Sequence, residues 1–183
     1  MEQNKEIERR YVLRAAAVDD NGHVSGYAAV FNSLSEDLGG FREIISDKAL
    51  IGVIEQSDVF AVLNHNPDRG VLARSRNGLG TLKLGIDATG LHYEFDVPNT
   101  ALGAEVVESI KRGDISGSSF AFSVERDEWS KDYQLRTITK IRRLYDVSPV
   151  YSPAYSETSA AVRSLERARE LAKYYEELRN RLK

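Results

Sequence analysis

Short apolar runs, each closed by a cluster of turn residues, follow one another along most of this chain, and that rhythm constrains the fold more than any other feature. Runs at 11–18 and 24–31 flank Asp19-Asp20-Asn21-Gly22, the pattern of a β-hairpin. A loop of Ser, Asp and Gly over 32–40 leads to a short strand at 41–45. A compact apolar run at 59–63 reads as a buried strand and ends in the turn-rich segment 64–70. Three more strands are predicted at 71–75, 81–86 and 91–97, with Asn77-Gly78 and Ala88-Thr89-Gly90 between them. Two further strand-like runs occupy 115–124 and 134–150. Two helices interrupt the series. Ser46 is placed to cap a short one, with Ala49, Leu50, Val53 and Ile54 at helical spacing. Asn99 or Thr100 caps the second, which carries Leu102, Val106, Val107 and Ile110 on one side and stops at Gly113. This order predicts an α+β chain, mainly β. Its architecture is expected to be a closed or strongly curved β-barrel with surrounding helices, not a doubly wound sheet.

From residue 160 the character changes. Ala, Leu, Glu, Arg and Lys dominate, and Leu165, Leu171, Tyr174, Tyr175, Leu178 and Leu182 recur every three to four residues. That is a C-terminal amphipathic helix. A polar stretch of Ser, Glu and Thr precedes it, so the chain is expected to divide into a main domain at 9–155 and a linker with helical tail at 156–183.

Composition narrows the function. With 183 residues, one sizeable core is expected. Lys plus Arg is 25 against 28 for Asp plus Glu, a net charge of −3, without the basic excess of a nucleic-acid binder. There is no cysteine and there are only 3 histidines, so neither a thiolate metal site nor a multi-histidine one is expected, and no cofactor is implied. No apolar run approaches the roughly 20 residues that span a bilayer, so no membrane partner is expected. The chain reads as soluble and intracellular.

Three segments carry candidate chemistry. His65 follows a buried run and lies between two asparagines; a lone loop histidine more often just bonds a turn. In Gly117-Ser118-Ser119-Phe120-Ala121-Phe122-Ser123, alternation sorts the side chains. Ser118 falls with Phe120 and Phe122 on the core face. Ser119, Ala121 and Ser123 share the other face, small and polar enough for a shallow groove that admits an extended peptide. The plain alternative is an ordinary half-exposed strand. Asp146, among apolar neighbours near a strand end, could orient an imidazole or simply pair with Arg142 or Arg143.

Together these segments resemble a known family. Leu63-Asn64-His65-Asn66, Leu72-Ala73-Arg74-Ser75, Gly117-Ser118-Ser119-Phe120-Ala121-Phe122, and Asp146-Val147-Ser148-Pro149-Val150 with Pro153-Ala154-Tyr155 look like the blocks of the tailed-bacteriophage prohead maturation serine proteases. Gly26-Tyr27-Ala28-Ala29-Val30-Phe31 and the stretch 90–98 fit the same order, so the resemblance runs over roughly residues 10–160. The family is similar in fold to the herpesvirus capsid-maturation proteases. The resemblance implies a serine endopeptidase that cleaves the major capsid protein and its scaffold region, made in the host cytoplasm and then enclosed in the procapsid, with self-cleavage and self-association as further expectations. It places His65 on the family's histidine, Ser119 on its nucleophile and Asp146 where the family usually has Glu. Met is commoner at the position of Ser118, and Gly at that of Ala121. Ala121, Ala154 and Tyr155 are the expected substrate or oxyanion residues. The competing expectation is a non-catalytic capsid-assembly or scaffold-binding protein of the same fold, docking through its helical tail.

Overall fold

The computed structural model describes residues 6–13, 16–151 and 158–181. Along them lie β1 (Glu8–Val12), β2 (Ala17–Val18), β3 (His23–Val30), β4 (Arg42–Ile45), β5 (Asp58–Ala61), β6 (Ala73–Arg76), β7 (Leu79–Gly80), β8 (Lys83–Ile86), β9 (Gly90–Asp96), α1 (Ala101–Arg112), β10 (Gly117–Trp129), β11 (Leu135–Val150) and α2 (Thr158–Arg181). The chain is α+β and mainly strand, with a C-terminal helix.

Two sheets form. The larger runs β1-β10-β11-β5-β6-β7, and β4 also pairs with β11. The smaller runs β2-β3-β9-β8. Val24, Leu91, Tyr93 and Phe95 from the smaller sheet and Val59, Phe120, Phe122, Leu144 and Val147 from the larger belong to one buried cluster. Where the sequence suggests a closed or strongly curved barrel, the described strands make two open sheets around this shared core. β1 and β7 end the larger sheet, and β2 and β8 end the smaller.

The expected hairpin is present but short. Only Ala17 and Val18 pair with β3, through Ser25 and Val24, while Gly22 takes the positive φ of 81° that the turn requires. β1 leaves for the larger sheet because its alternate residues Glu8 and Arg10 are buried beside Glu43 and Arg136 there. Ser46 does accept from the Lys48 amide, at 3.3 Å, but the helix predicted after it is a run of turns ending in a 3₁₀ piece at Ile54–Gln56. Gly52, at φ 72°, breaks the helical path. Ala49, Leu50, Val53 and Ile54 are nevertheless all buried, as their spacing required. α1 is capped by Thr100, whose hydroxyl accepts from the Gly103 amide, and ends at Gly113 in the left-handed conformation.

β10 and β11 form a long antiparallel hairpin that carries the site. Its register sets Ser119 opposite Ser148 and Ala121 opposite Asp146. β1 flanks β10 on the other side, with Tyr11 opposite Ser119. β5 runs parallel to β11, Phe60 beside Asp146.

Candidate active site

Ser119 lies in the middle of a three-strand stretch and is 5% exposed. The alternation of β10 holds as predicted. Ser118 turns into the core, where its hydroxyl bonds Tyr93 at 2.7 Å. Burial pushes the Tyr93 phenol up to about 12, so the pair stays neutral. Ser119 points to the opposite face.

His65 reaches that face from the end of β5. Leu63, fully buried, anchors the chain, and Asn64 and His65 then adopt positive φ values of 52° and 55°. Two left-handed non-glycine residues in succession cost of order 1–3 kcal/mol each, and such backbone persists only where its surroundings fix it. Here the Asn64 side chain accepts from the Tyr151 amide at 3.1 Å. The Asn66 side chain accepts from the Asp68 amide at 3.0 Å and so caps the next turn. The result swings the imidazole back over β10 and β11.

The imidazole bridges two partners. Nδ1 is 2.5 Å from Asp146 Oδ1, and Nε2 is 2.6 Å from Ser119 Oγ. A carboxylate only accepts, so Nδ1 carries the proton toward Asp146, leaving Nε2 to accept from the Ser119 hydroxyl. The Arg10 carbonyl, 2.8 Å from Ser119 Oγ, is a second acceptor for that same hydroxyl. The His65 and Asp146 side chains keep 11% and 16% of their surface exposed, which shelters the pair without sealing it. Ser148 completes the cluster: its hydroxyl donates to Asp146 Oδ1 at 2.7 Å and accepts from the His65 backbone N–H at 3.3 Å.

The structure thus brings His65, Ser119 and Asp146 into one hydrogen-bonded line. Ala121 is 1% exposed and sits opposite Asp146. Its side chain is therefore buried among the described residues rather than exposed on a groove. Ser123 is fully buried as well, with the Tyr145 hydroxyl 3.4 Å from its oxygen, so the face expected as a shallow channel is covered along β10. Ala154 and Tyr155 lie outside the described residues. His23 bonds Asp96 at the surface, and His92 packs edge-on against Tyr27. No cluster of metal-ligating side chains occurs among the described residues, and no described helix is long and apolar enough to cross a membrane. Sequence reasoning missed Ser148, although its i+2 spacing from Asp146 puts the two on one strand face. It also missed the Arg10 carbonyl, a backbone group no side-chain motif can mark.

The sequence model of the family described as caudovirus prohead serine protease matches residues 9–173. Among solved structures, the capsid assembly protease gp21 of bacteriophage T4 is similar in fold, with a TM-score of 0.54 at 12% identity. The likeness covers 82% of this chain and 100% of that one. No curated protein matches the sequence.

Proposed function

The chain belongs to the caudovirus prohead serine protease family, and from that premise we propose that its Ser119, His65 and Asp146 hydrolyse peptide bonds of the major capsid protein and its scaffold region within the procapsid. The observation that carries this is the continuous line Asp146–His65–Ser119, at 2.5 and 2.6 Å.

On this reading Ser119 Oγ attacks the scissile carbonyl carbon while its proton passes to His65 Nε2. Asp146 stabilises the imidazolium through the Nδ1–H bond. The proton then goes to the leaving amine as the C–N bond breaks, which leaves an acyl-enzyme on Ser119. Water, deprotonated by the same imidazole, releases the acid. The oxyanion donors are assigned to backbone N–H groups around Ala154 and Tyr155. The protease is made in the host cytoplasm and enclosed with its substrates, and it also cuts its own polar stretch before α2. The barrel enters the reading too: a core shared by both sheets supports a barrel-like enclosure behind the site.

A serine-reactive fluorophosphonate, followed by peptide mapping, tests the assignment. The label is expected on Ser119, absent in Ser119→Ala and retained in Ser118→Ala. Label on Ser118, or labelling and capsid cleavage that survive Ser119→Ala, would overturn it.

A further inference from the structure

The Ser148 hydroxyl touches two members of the catalytic line and is itself fully buried. It donates to Asp146 Oδ1, the same oxygen that receives His65 Nδ1–H. Its oxygen accepts from the His65 backbone N–H and lies 3.2 Å from Nδ1. It also stands directly opposite Ser119 across the β10–β11 ladder. From this placement we infer that Ser148 is a positioning residue for the peptide-bond hydrolysis proposed above, on which this inference rests.

Two physical effects follow from one hydroxyl. Asp146 can rotate about its terminal torsion, and a carboxylate held by a single donor is free to turn away from the imidazole. A second donor on the same oxygen fixes the rotamer that faces His65. The second effect is on the backbone. His65 is held at φ 55°, and its N–H is directed at the Ser148 oxygen, so the serine helps to hold the strained turn that aims Nε2 at Ser119. Alanine at this position would loosen the carboxylate and leave the His65 amide unpaired. Strand geometry explains why the group comes from residue 148: Asp146 and Ser148 share a face at i, i+2, and the proline between Ser148 and Val150 faces away. Ser148 is not itself a nucleophile here, because the imidazole nitrogen nearest to it, Nδ1, is the one already committed to Asp146.

The test is a double-mutant cycle on the full chain, read as the second-order rate of fluorophosphonate labelling at Ser119, a probe that reports activation of the hydroxyl. Ser148→Ala should slow labelling by about 10- to 100-fold, the range expected when a hydrogen bond to a charged group is removed. In the Asp146→Asn background, the same change should slow it at least about threefold less than in the unmodified chain, because there is no longer a charged carboxylate to hold and only the loosened His65 backbone remains. With a cleavable peptide, the loss should fall on kcat and leave KM unchanged. Labelling by Ser148→Ala within threefold of the unmodified chain would overturn the inference, as would an equal loss in both backgrounds, which would mark Ser148 as a packing residue. Failure of the underlying reading is separately visible, since only that failure lets Ser119→Ala keep its label.

Discussion

Tyr11 and Gly117 show how tightly the neighbours of Ser119 are fitted. Tyr11 stands opposite Ser119 on β1, and its ring lies across Gly117, two residues before the serine. A Cβ at position 117 would come within 2.4–2.6 Å of three Tyr11 ring and hydroxyl atoms. The glycine is there for close approach rather than for a turn. Gly117→Ala should cost about 1–3 kcal/mol through overpacking, and thermal denaturation in the Tyr11→Ala background should show most of that penalty gone. An equal penalty in both backgrounds would exonerate the ring. At this scale the sequence was highly informative. Two adjacent serines were separated by alternation alone, because Phe120 and Phe122 had to face the core. Nothing comparable marks Tyr11, whose importance comes from a strand more than 100 positions away in the chain that happens to lie alongside.

The elements are joined by a buried charge cluster that no local pattern announces. Arg136, on β11, donates to Glu8 of β1 at 2.7 Å, to Glu43 of β4 at 2.9 Å and to Asp127 of β10 at 2.6 Å. Arg10 adds bonds to Glu43 and Glu8. Glu8, Arg10, Glu43 and Arg136 are all buried. Burial pushes the Glu8 carboxyl up, but its bonds and charge pairing with Arg136 and Arg10 outweigh that and hold it below the ordinary 4.5. Burial pushes the Arg10 and Arg136 guanidinium groups down, but the carboxylates of Glu43 and Glu8, with Asp127 for Arg136, outweigh it and raise both. Since Glu8 has a lowered value when folded, its contribution is complete above about pH 4.5 and is lost as pH falls through the folded value, where the unfolded chain takes up the proton first. Thermal midpoints should therefore drop on acidification below that point, and Glu8→Gln should flatten the slope; an unchanged slope would remove Glu8 as a cause. Arg136→Leu leaves the buried carboxylates of Glu8 and Glu43 to share the single cation of Arg10 and should cost about 3–5 kcal/mol at neutral pH. This cluster also explains the main misreadings of the elements. The sequence reads 11–18 as one strand of a hairpin with 24–31, whereas the charges draw β1 to β10 and leave only Ala17 and Val18 beside β3. The sequence reading stops this strand at residue 124, where the charged run Glu125 to Glu128 begins, yet β10 continues to Trp129. Apolar periodicity reports faces that meet oil and is silent where a face meets its counter-ions.

At the scale of the whole molecule, α2 is what ties the C-terminal segment to the body. Its first turns are seated on the body. Leu165 is buried with Leu38 and Phe41, and Trp129 and Tyr133 pack against them. Ser164 donates to Asp127, and Arg163 and Arg167 pair with Glu6. Farther along, Leu171, Tyr174 and Tyr175 are each more than half exposed. The helix therefore has two parts with different work, although the sequence shows one continuous stripe. The apolar residues of the first part are satisfied by the protein's own core, and those of the second are not. Leu165→Ala should cost about 2–5 kcal/mol by leaving a cavity beside Phe41, and a chain ending at residue 161 should be destabilised at least as much. A chain ending at residue 170 keeps Leu165 and every described contact of α2 with Glu6 and Asp127, so it should melt within about 1 kcal/mol of the full protein and label at Ser119 at the normal rate. If the exposed second half engages the scaffold during assembly, this shorter chain should be depleted from proheads when they are assembled with the capsid protein and assayed by mass spectrometry. Normal incorporation would remove the second half from recruitment. A large loss of stability would mean that the helix beyond residue 170 is held by the body after all.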